Sequence, residues 1–399
     1  MAKEFVIALY LLVFKAAFSF FKLFPMKEKV TFTITFGDNS KYIYDEIRRQ
    51  ELPVDVVVLY KGSSKRYFES EDVVLIPFET YNIIDFLRAV YHLATSKKIL
   101  IDNYFGFLSV TEFKKEVECI QLWHASGAIK KFGLEDQSVP YRSKGAKKRF
   151  LSVYEKFDKV IVGSDVMANT FMNAFNLPKE RILRTGIPRT DFFYDENKKK
   201  QIMNRLMEEN KSLKSKRKIL YAPTYRDQQL DHFDLKLEMN KMYKELGDEF
   251  IVLLRLHPAI KNTENYSKKY PGFVYDYSSP NYDINELLLI ADYLITDYSS
   301  IPYEFSLMNK PMLFFAYDLD KYSEERGLVD GYEKMVPGPV VHETSQIVDI
   351  IKKDRFNYGK IKEYASRWNK YSTGNSSEKF VNYLFMEEEA SKGAKRRAL

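Results

Sequence analysis

Short apolar runs rich in β-branched residues recur along this chain with enough sequence between them for a helix, and no other feature restricts its fold as tightly. Val30 to Phe36 alternates as a strand, Ser40 to Gln50 reads as a helix, and Val54 to Tyr60 has the unbroken apolar character of a strand buried on both faces. The rhythm continues through Val73 to Pro77, the helical Asn82 to Ser96, Lys98 to Asp102, Val117 to Trp123, Lys159 to Ser164 and Ile182 to Thr185. A second series follows the charged helical stretch from Asn197 to Lys218: Lys218 to Ala222, Phe250 to Arg255, Phe273 to Asp276, Tyr293 to Thr296 and Pro311 to Phe315. Strands alternating with helices predict parallel sheets covered on both faces. Two such series in 399 residues predict an α/β chain with two doubly wound domains, 26–187 and 188–385, meeting near Ile187-Pro188. Sheets of this kind present ligands to the C-terminal ends of their strands, so the active site is expected in a cleft between the two domains.

Composition narrows the partners. The single cysteine, Cys119, excludes an intrachain disulfide, and the five histidines, at 92, 124, 232, 257 and 342, lack metal-ligand spacing. A formal charge of +7 favours anionic partners. No nucleic-acid module accompanies it, which leaves phosphorylated substrates and lipid surfaces. Phe5 to Phe14 is an apolar run of ten, short of the about 20 residues needed to span a bilayer. Glu4, Lys15, Ser19 and Lys22 share one sector of the helical wheel, so residues 1–25 are expected to form an amphipathic helix lying in a membrane surface. The tail 386–399 is expected to be disordered, its Lys395-Arg396-Arg397 adding attraction to anionic lipid.

Four segments carry candidate chemistry. In Ile295-Thr296-Asp297-Tyr298-Ser299-Ser300-Ile301-Pro302 a strand ends in two hydroxyls where a helix begins, and free N–H groups there suit a phosphate or diphosphate. Ser299 and Ser300 are the expected cradle. Glu304, on the first turns of that helix, either accepts from a sugar or glycerol hydroxyl, fixes a neighbouring base, or serves as a buried cap or ion-pair partner. His124, at the end of a strand in Gln121-Leu122-Trp123-His124-Ala125-Ser126-Gly127, is the general-base candidate, with Lys130 and Lys131 close behind it. In Tyr221-Ala222-Pro223-Thr224-Tyr225-Arg226-Asp227 the planar fork of Arg226 suits a phosphoryl group, unless it pairs with Asp227. In Leu254-Arg255-Leu256-His257-Pro258, strand alternation would put Arg255 and His257 on one side, where His257 could meet the charge of a leaving phosphate.

Taken in order, Trp123-His124, Tyr221-Ala222-Pro223-Thr224 with Arg226-Asp227, Thr296-Asp297-Tyr298-Ser299-Ser300, Pro311 to Tyr322 and Val336-Pro337-Gly338-Pro339 resemble the CDP-glycerol glycerophosphotransferases of wall teichoic acid synthesis. The resemblance implies a GT-B fold whose C-terminal Rossmann-like domain holds most of the nucleotide. It implies His124 and His257 as the catalytic pair, with Arg226, Arg255, Asp297, Ser299, Ser300 and Glu304 around the donor. Lys130, Lys131 and Arg142 become expected contacts to a lipid diphosphate. Polymerases of the family usually carry Trp-His-Gly-Thr-Pro, where this chain has Trp123-His124-Ala125-Ser126-Gly127. With Lys131 to Asp136 and Arg367 to Ser372, that departure resembles the priming branch. Such an enzyme moves one glycerol 3-phosphate from CDP-glycerol to undecaprenyl-diphosphate-linked GlcNAc-ManNAc and releases CMP, at the cytoplasmic face of the membrane as a peripheral protein. No cofactor and no fixed metal are implied. Magnesium on the substrate phosphates stays open, as do a homo-oligomeric state, repeated addition by a polymerase, and a nucleotide-sugar donor.

Overall fold

The computed structural model describes residues 2–226, 231, 233–257, 260, 264–329 and 331–385. They form two compact units, one made of the chain up to 125, 132–191 and 370 onward, the other of 126–131 and 192–369.

In the first unit seven strands, β1 (Lys27–Ile34), β2 (Asp55–Tyr60), β3 (Val74–Pro77), β4 (Ser96–Ile101), β5 (Glu118–Gln121), β6 (Lys159–Ile161) and β7 (Ile182–Leu183), form one sheet in the order β3-β2-β1-β4-β5-β6-β7. Every pairing is parallel. The helices are α1 (Ala2–Phe21), α2 (Asp38–Arg49), α3 (Ile83–Thr95), α4 (Lys144–Tyr154) and α5 (Asp165–Phe175). β1 is central and buried along six consecutive residues, as the apolar character of its neighbours requires. Val30, Phe32 and Ile34 share a core with Ile43 and Ile47 of α2, Val58, Leu100, Ile120 and Ile161. Phe380, Val381 and Leu384 belong to the same core. Sequence alone assigned 370–385 to the second domain, but these apolar side chains are buried in the first unit. Asp191 accepts the N–H groups of Ser376 and Ser377, each at 2.8 Å, and so caps the final helical stretch there.

One side of α1 is packed. Phe14 and Phe18 are buried, Phe14 stacking on Phe107 at 4.9 Å and meeting Phe86 of α3 at 6.0 Å, and Phe18 meeting Phe113 at 5.7 Å. The other side is bare: Phe5, Val6, Leu9 and Leu12 are 51–70% exposed. Glu4–Phe21 is long and apolar enough to cross a membrane by length and composition, because Lys15 interrupts the apolar run without ending it.

The second unit has six parallel strands, β8 (Arg217–Ala222), β9 (Phe250–Leu254), β10 (Val274–Asp276), β11 (Tyr293–Thr296), β12 (Met312–Phe315) and β13 (Val340–Val341), in the order β10-β9-β8-β11-β12-β13. Around them lie α6 (Glu196–Glu209), α7 (Met239–Leu246), α8 (Tyr266–Lys269), α9 (Ile284–Ile290), α10 (Ile301–Phe305), α11 (Leu319–Arg326), α12 (Tyr332–Met335), α13 (Thr344–Lys352) and α14 (Tyr358–Trp368). Tyr221, Val252, Leu254, Ile295 and Leu313 pack with Met242 and Leu246 of α7 and Ile347 and Ile351 of α13. α6 stops well short of Lys218, because Asn210 turns its side chain onto the N–H of Ser212 and the chain enters β8.

Strand order reverses once in each sheet, between β1 and β4 and between β8 and β11. Such reversals open a crevice beyond the strand ends. A carboxylate closes each of them. Asp102, just after β4, accepts N–H groups of the loop after β1, and Asp297, just after β11, accepts the N–H of Thr224 after β8.

Candidate functional site

In the first unit the candidate base stands one strand from the reversal. Trp123, after β5, has φ of +56°, a left-handed backbone that a bulky aromatic adopts only when held. The Asn39 side chain donates to the carbonyls of Leu122 (3.3 Å) and Trp123 (3.1 Å), and the Gln121 side chain accepts the Trp123 N–H at 2.8 Å. The next residue, His124, lies between two rings, Phe36 at 4.1 Å and 14° and Trp123 at 4.4 Å and 30°. Its Nδ1 is 3.2 Å from the carbonyl oxygen of Asp102. A carbonyl only accepts, so this pairing assigns the proton to Nδ1 and leaves the lone pair on Nε2. Burial, with a smaller contribution from Arg189, lowers the imidazole pKa to about 4, against the opposing effects of the Asp102 carbonyl and Asp38. His124 is therefore a neutral base at physiological pH. Arg189 closes the arrangement, its Nη1 donating to Asp38 at 3.1 Å and to the His124 carbonyl at 2.8 Å.

The second unit holds the remaining predicted groups. Asp297, 2% exposed, accepts the N–H groups of Thr224 and Tyr298 on one oxygen, at 2.8 and 2.7 Å, and Arg226 Nη2 on the other, at 3.1 Å. Arg226 also grips Asp318 with two bonds of 2.9 and 3.0 Å and donates Nη1 to the Thr224 carbonyl at 2.6 Å. Burial opposes its charge, and the carboxylates of Asp318 and Asp297 outweigh that. The fork expected to bind phosphate thus faces two carboxylates, and Asp227 lies outside the described residues. The guanidinium also sits over Tyr322, 4.5 Å from the ring centroid, and Tyr322 stacks on Tyr298 at 3.9 Å.

Ser299 and Ser300 are half-buried at the start of α10, and the Ser299 hydroxyl accepts the Ile301 N–H at 3.3 Å. α10 has only five residues, so free N–H groups and hydroxyls, more than a helix dipole, would meet an anion there. Glu304 is buried and accepts the Ser126 hydroxyl at 2.8 Å.

Residues 126–131 explain that contact, since they belong to this unit. Gly127 lies flat on Tyr303, where a Cβ would meet the ring at 2.5 Å. Tyr303 donates to the Ala128 carbonyl at 3.0 Å, and the N–H groups of Val329 and Lys131 bond to Ile129 and Gly327 at 2.9 and 3.0 Å. Lys130 lies 5.2 Å from the Tyr322 ring centroid. Both lysines thus leave the domain in which the sequence placed them, whereas Arg142 is in the first unit, bonded to Ser138 at 3.0 Å. The three expected lipid-diphosphate contacts are not gathered in one unit.

β9 ends at Leu254, so strand alternation does not govern Arg255 and His257. Arg255 donates to the carbonyls of Tyr277 and Ser279 at 2.6 and 2.7 Å, pinning that loop. His257 is exposed with its ring 4.4 Å from Tyr225. Partial burial, then the charges of Arg255 and Lys130, lower its pKa. A cavity of about 440 Å³ is lined by Asp318, Lys321, Glu333 and His342, among others. His342 Nδ1 faces the Ala316 carbonyl at 2.8 Å. Sequence reasoning missed Asp102, Phe36, Asn39, Arg189, Asp318 and Tyr322. Polar residues just past the strands flanking each reversal were the available signal for Asn39 and Asp102.

The profile of a family described as CDP-glycerol:poly(glycerophosphate) glycerophosphotransferase matches residues 16–386. A teichoic acid glycerol-phosphate primase of Bacillus subtilis (strain 168) is 40% identical over 376 residues, covering 94% of this chain and 96% of that protein. A teichoic acid poly(ribitol-phosphate) polymerase of Bacillus spizizenii is 34% identical, covering 97% of this chain and 61% of that one. Among solved structures, the wall teichoic acid polymerase TagF matches with a TM-score of 0.79 at 23% identity, over 98% of this chain and 99% of that chain. That likeness places the two units in the GT-B class.

Proposed function

Because the chain belongs to the CDP-glycerol:poly(glycerophosphate) glycerophosphotransferase family, we propose that it primes teichoic acid synthesis by transferring one sn-glycerol 3-phosphate from CDP-glycerol to undecaprenyl-diphosphate-linked GlcNAc-ManNAc. The B. subtilis primase supports priming at 40% identity, against 34% for the polymerase. The observation that carries the chemistry is the state of His124, neutral, with Nδ1 on a carbonyl and Nε2 left as an acceptor.

The acceptor hydroxyl oxygen attacks the phosphorus that bears glycerol, and its proton passes to Nε2 of His124. As the new P–O bond forms, the bond to the bridging oxygen breaks and CMP leaves with the electron pair. Charge gathers on the phosphoryl oxygens and on CMP. His257 and Lys130 meet it, with the hydroxyls and N–H groups of Ser299 and Ser300 holding the diphosphate. Lys130 lies in the same unit as His257 and its charge bears on it, which favours a donor-phosphate role for this lysine over a lipid-diphosphate one. Asp297 and Arg226 act on the donor by fixing the loops that carry Thr224 and Tyr298.

Mass spectrometry of a short-lipid GlcNAc-ManNAc diphosphate acceptor, incubated with CDP-glycerol and the protein, tests the reading. One added glycerol phosphate, without a ladder at excess donor, is the expected product. A ladder would make the protein a polymerase, and transfer only from a nucleotide sugar would make it a glycosyltransferase.

The acceptor lipid requires work at a membrane surface, and the bare side of α1 is suited to it. Ile83, Ile84 and Leu87 of α3 are exposed as well, beside the Phe86 that packs under α1. The basic α4 adjoins the start of α1 through Arg149 and Glu4, 3.3 Å apart, and such a rim favours anionic lipid. Replacing Leu9 and Leu12 together by glutamate should weaken sedimentation with anionic vesicles at least about 100-fold, since burial of each leucine is worth ~1.5–3 kcal/mol. Unchanged sedimentation would refute the assignment. Removing residues 1–24 is a poorer test, because it also strips Phe14 and Phe18 from their partners.

A further inference from the structure

We propose that Asp102 is the positioning residue of His124, holding the imidazole from two sides: its main-chain carbonyl fixes Nδ1, and its carboxylate fixes Phe36 against the ring. The proposal rests on the reading of His124 as the base. Phe36 is 41% exposed, so hydrophobic burial gives it little reason to stay where it is. What holds it is the carboxylate, which accepts the N–H groups of Thr35, Phe36 and Gly37, each at 2.8 Å. The same residue's carbonyl is 3.2 Å from His124 Nδ1, and Phe36 stacks on the imidazole at 4.1 Å. One residue at the strand-order reversal therefore sets both the tautomer and the orientation of the base.

A charged carboxylate suits three donors; a protonated one does not, because its O–H would point at an N–H. Burial raises the Asp102 carboxyl to about 6, against the three N–H donors, and Asp38 adds to the rise. The other groups facing this position are His124 itself and Arg189, which is paired with Asp38. As pH falls through about 6 the carboxyl takes a proton and the loop loses a bond, while His124, near 4, is still neutral. Transfer should therefore decline near pH 6, above the titration of the base.

The test uses the full chain with CDP-glycerol and a soluble acceptor analogue. Asp102→Asn keeps the shape but sets an amide donor against the loop N–H groups. It should lower kcat about 10- to 100-fold, as expected for a misplaced base, leave CDP-glycerol affinity unchanged and abolish the limb near pH 6. Wild-type kcat with the wild-type pH profile would overturn the proposal. If that variant does not fold, Phe36→Leu decides, since it should also lower kcat and a wild-type rate would count against the proposal. Should the wild-type protein transfer nothing from CDP-glycerol, the proposed function fails and the imidazole nitrogen shifts of His124, assigned with His124→Gln, still decide. A single Nδ1–H tautomer in wild type is expected, with imidazole shifts that move in Asp102→Asn as Phe36 loses its hold against the ring; identical shifts in both proteins would overturn the proposal.

Discussion

Replacing His124 by alanine is expected to lower glycerol-phosphate transfer by about 10²–10⁴-fold, the usual effect of removing a positioned general base. The site makes the imidazole suited to that work in a specific way. Burial holds it neutral, with its pKa near 4, so essentially every molecule carries the free lone pair above pH 5. The carbonyl of Asp102 holds the remaining proton on the other nitrogen. A base of such low pKa is weak in the ground state, and a neutral imidazole in a dry setting gains most where the attacking oxygen acquires acidity, in the transition state. The loss should fall on kcat, with CDP-glycerol affinity within about twofold of wild type, because ground-state binding does not use this group. Single-turnover transfer with labelled CDP-glycerol measures it, and near wild-type turnover would remove His124 from the mechanism.

Arg226→Ala should destabilise the second unit by about 3–5 kcal/mol, the range seen when one partner of a buried ion pair is removed. Asp297 is 2% exposed and Asp318 19% at the side chain, and both depend on this guanidinium. Without it the two carboxylates lose the cation that neutralises both, and the rings of Tyr298 and Tyr322 lose it as well. Lysine cannot replace the fork, since its point charge does not span two carboxylates and a carbonyl. Thermal unfolding should show a fall of roughly 6–20 °C for a unit of this size. An unchanged melting temperature with lost CDP-glycerol affinity would instead return Arg226 to the role of a phosphate ligand.

The regular part of the fold was legible because its signals are local. Val56 to Tyr60 and Phe250 to Leu254 are continuous apolar runs that only a two-sided strand can bury, and Asn82 opens the helical stretch that it caps. His124, at the end of such a strand, could be found the same way. The partners were not legible, because they depend on which strands become neighbours. Asp102 meets residues 65–67 positions away and Arg226 meets Asp318 across 92. Nothing in either segment announces the other until β1 lies beside β4 and β8 beside β11. For the same reason Arg226 read as a phosphate ligand when viewed alone. Two-residue strands such as β13 carry too little pattern to be seen, and Phe380 to Leu384 could have joined either core on apolar character alone.

α1 leaves the ribosome before its partners do: Phe86, Phe107 and Phe113, on which Phe14 and Phe18 rest, are made up to about a hundred residues later. At ordinary synthesis rates that interval lasts roughly 5–20 s. Throughout it a helix apolar on every side but one has no folded partner. A lipid surface or a chaperone would shield it in that interval, and the rest of the first unit would then assemble onto a segment already placed. Order of synthesis, and not only affinity of the finished protein, thus bears on where this chain comes to rest.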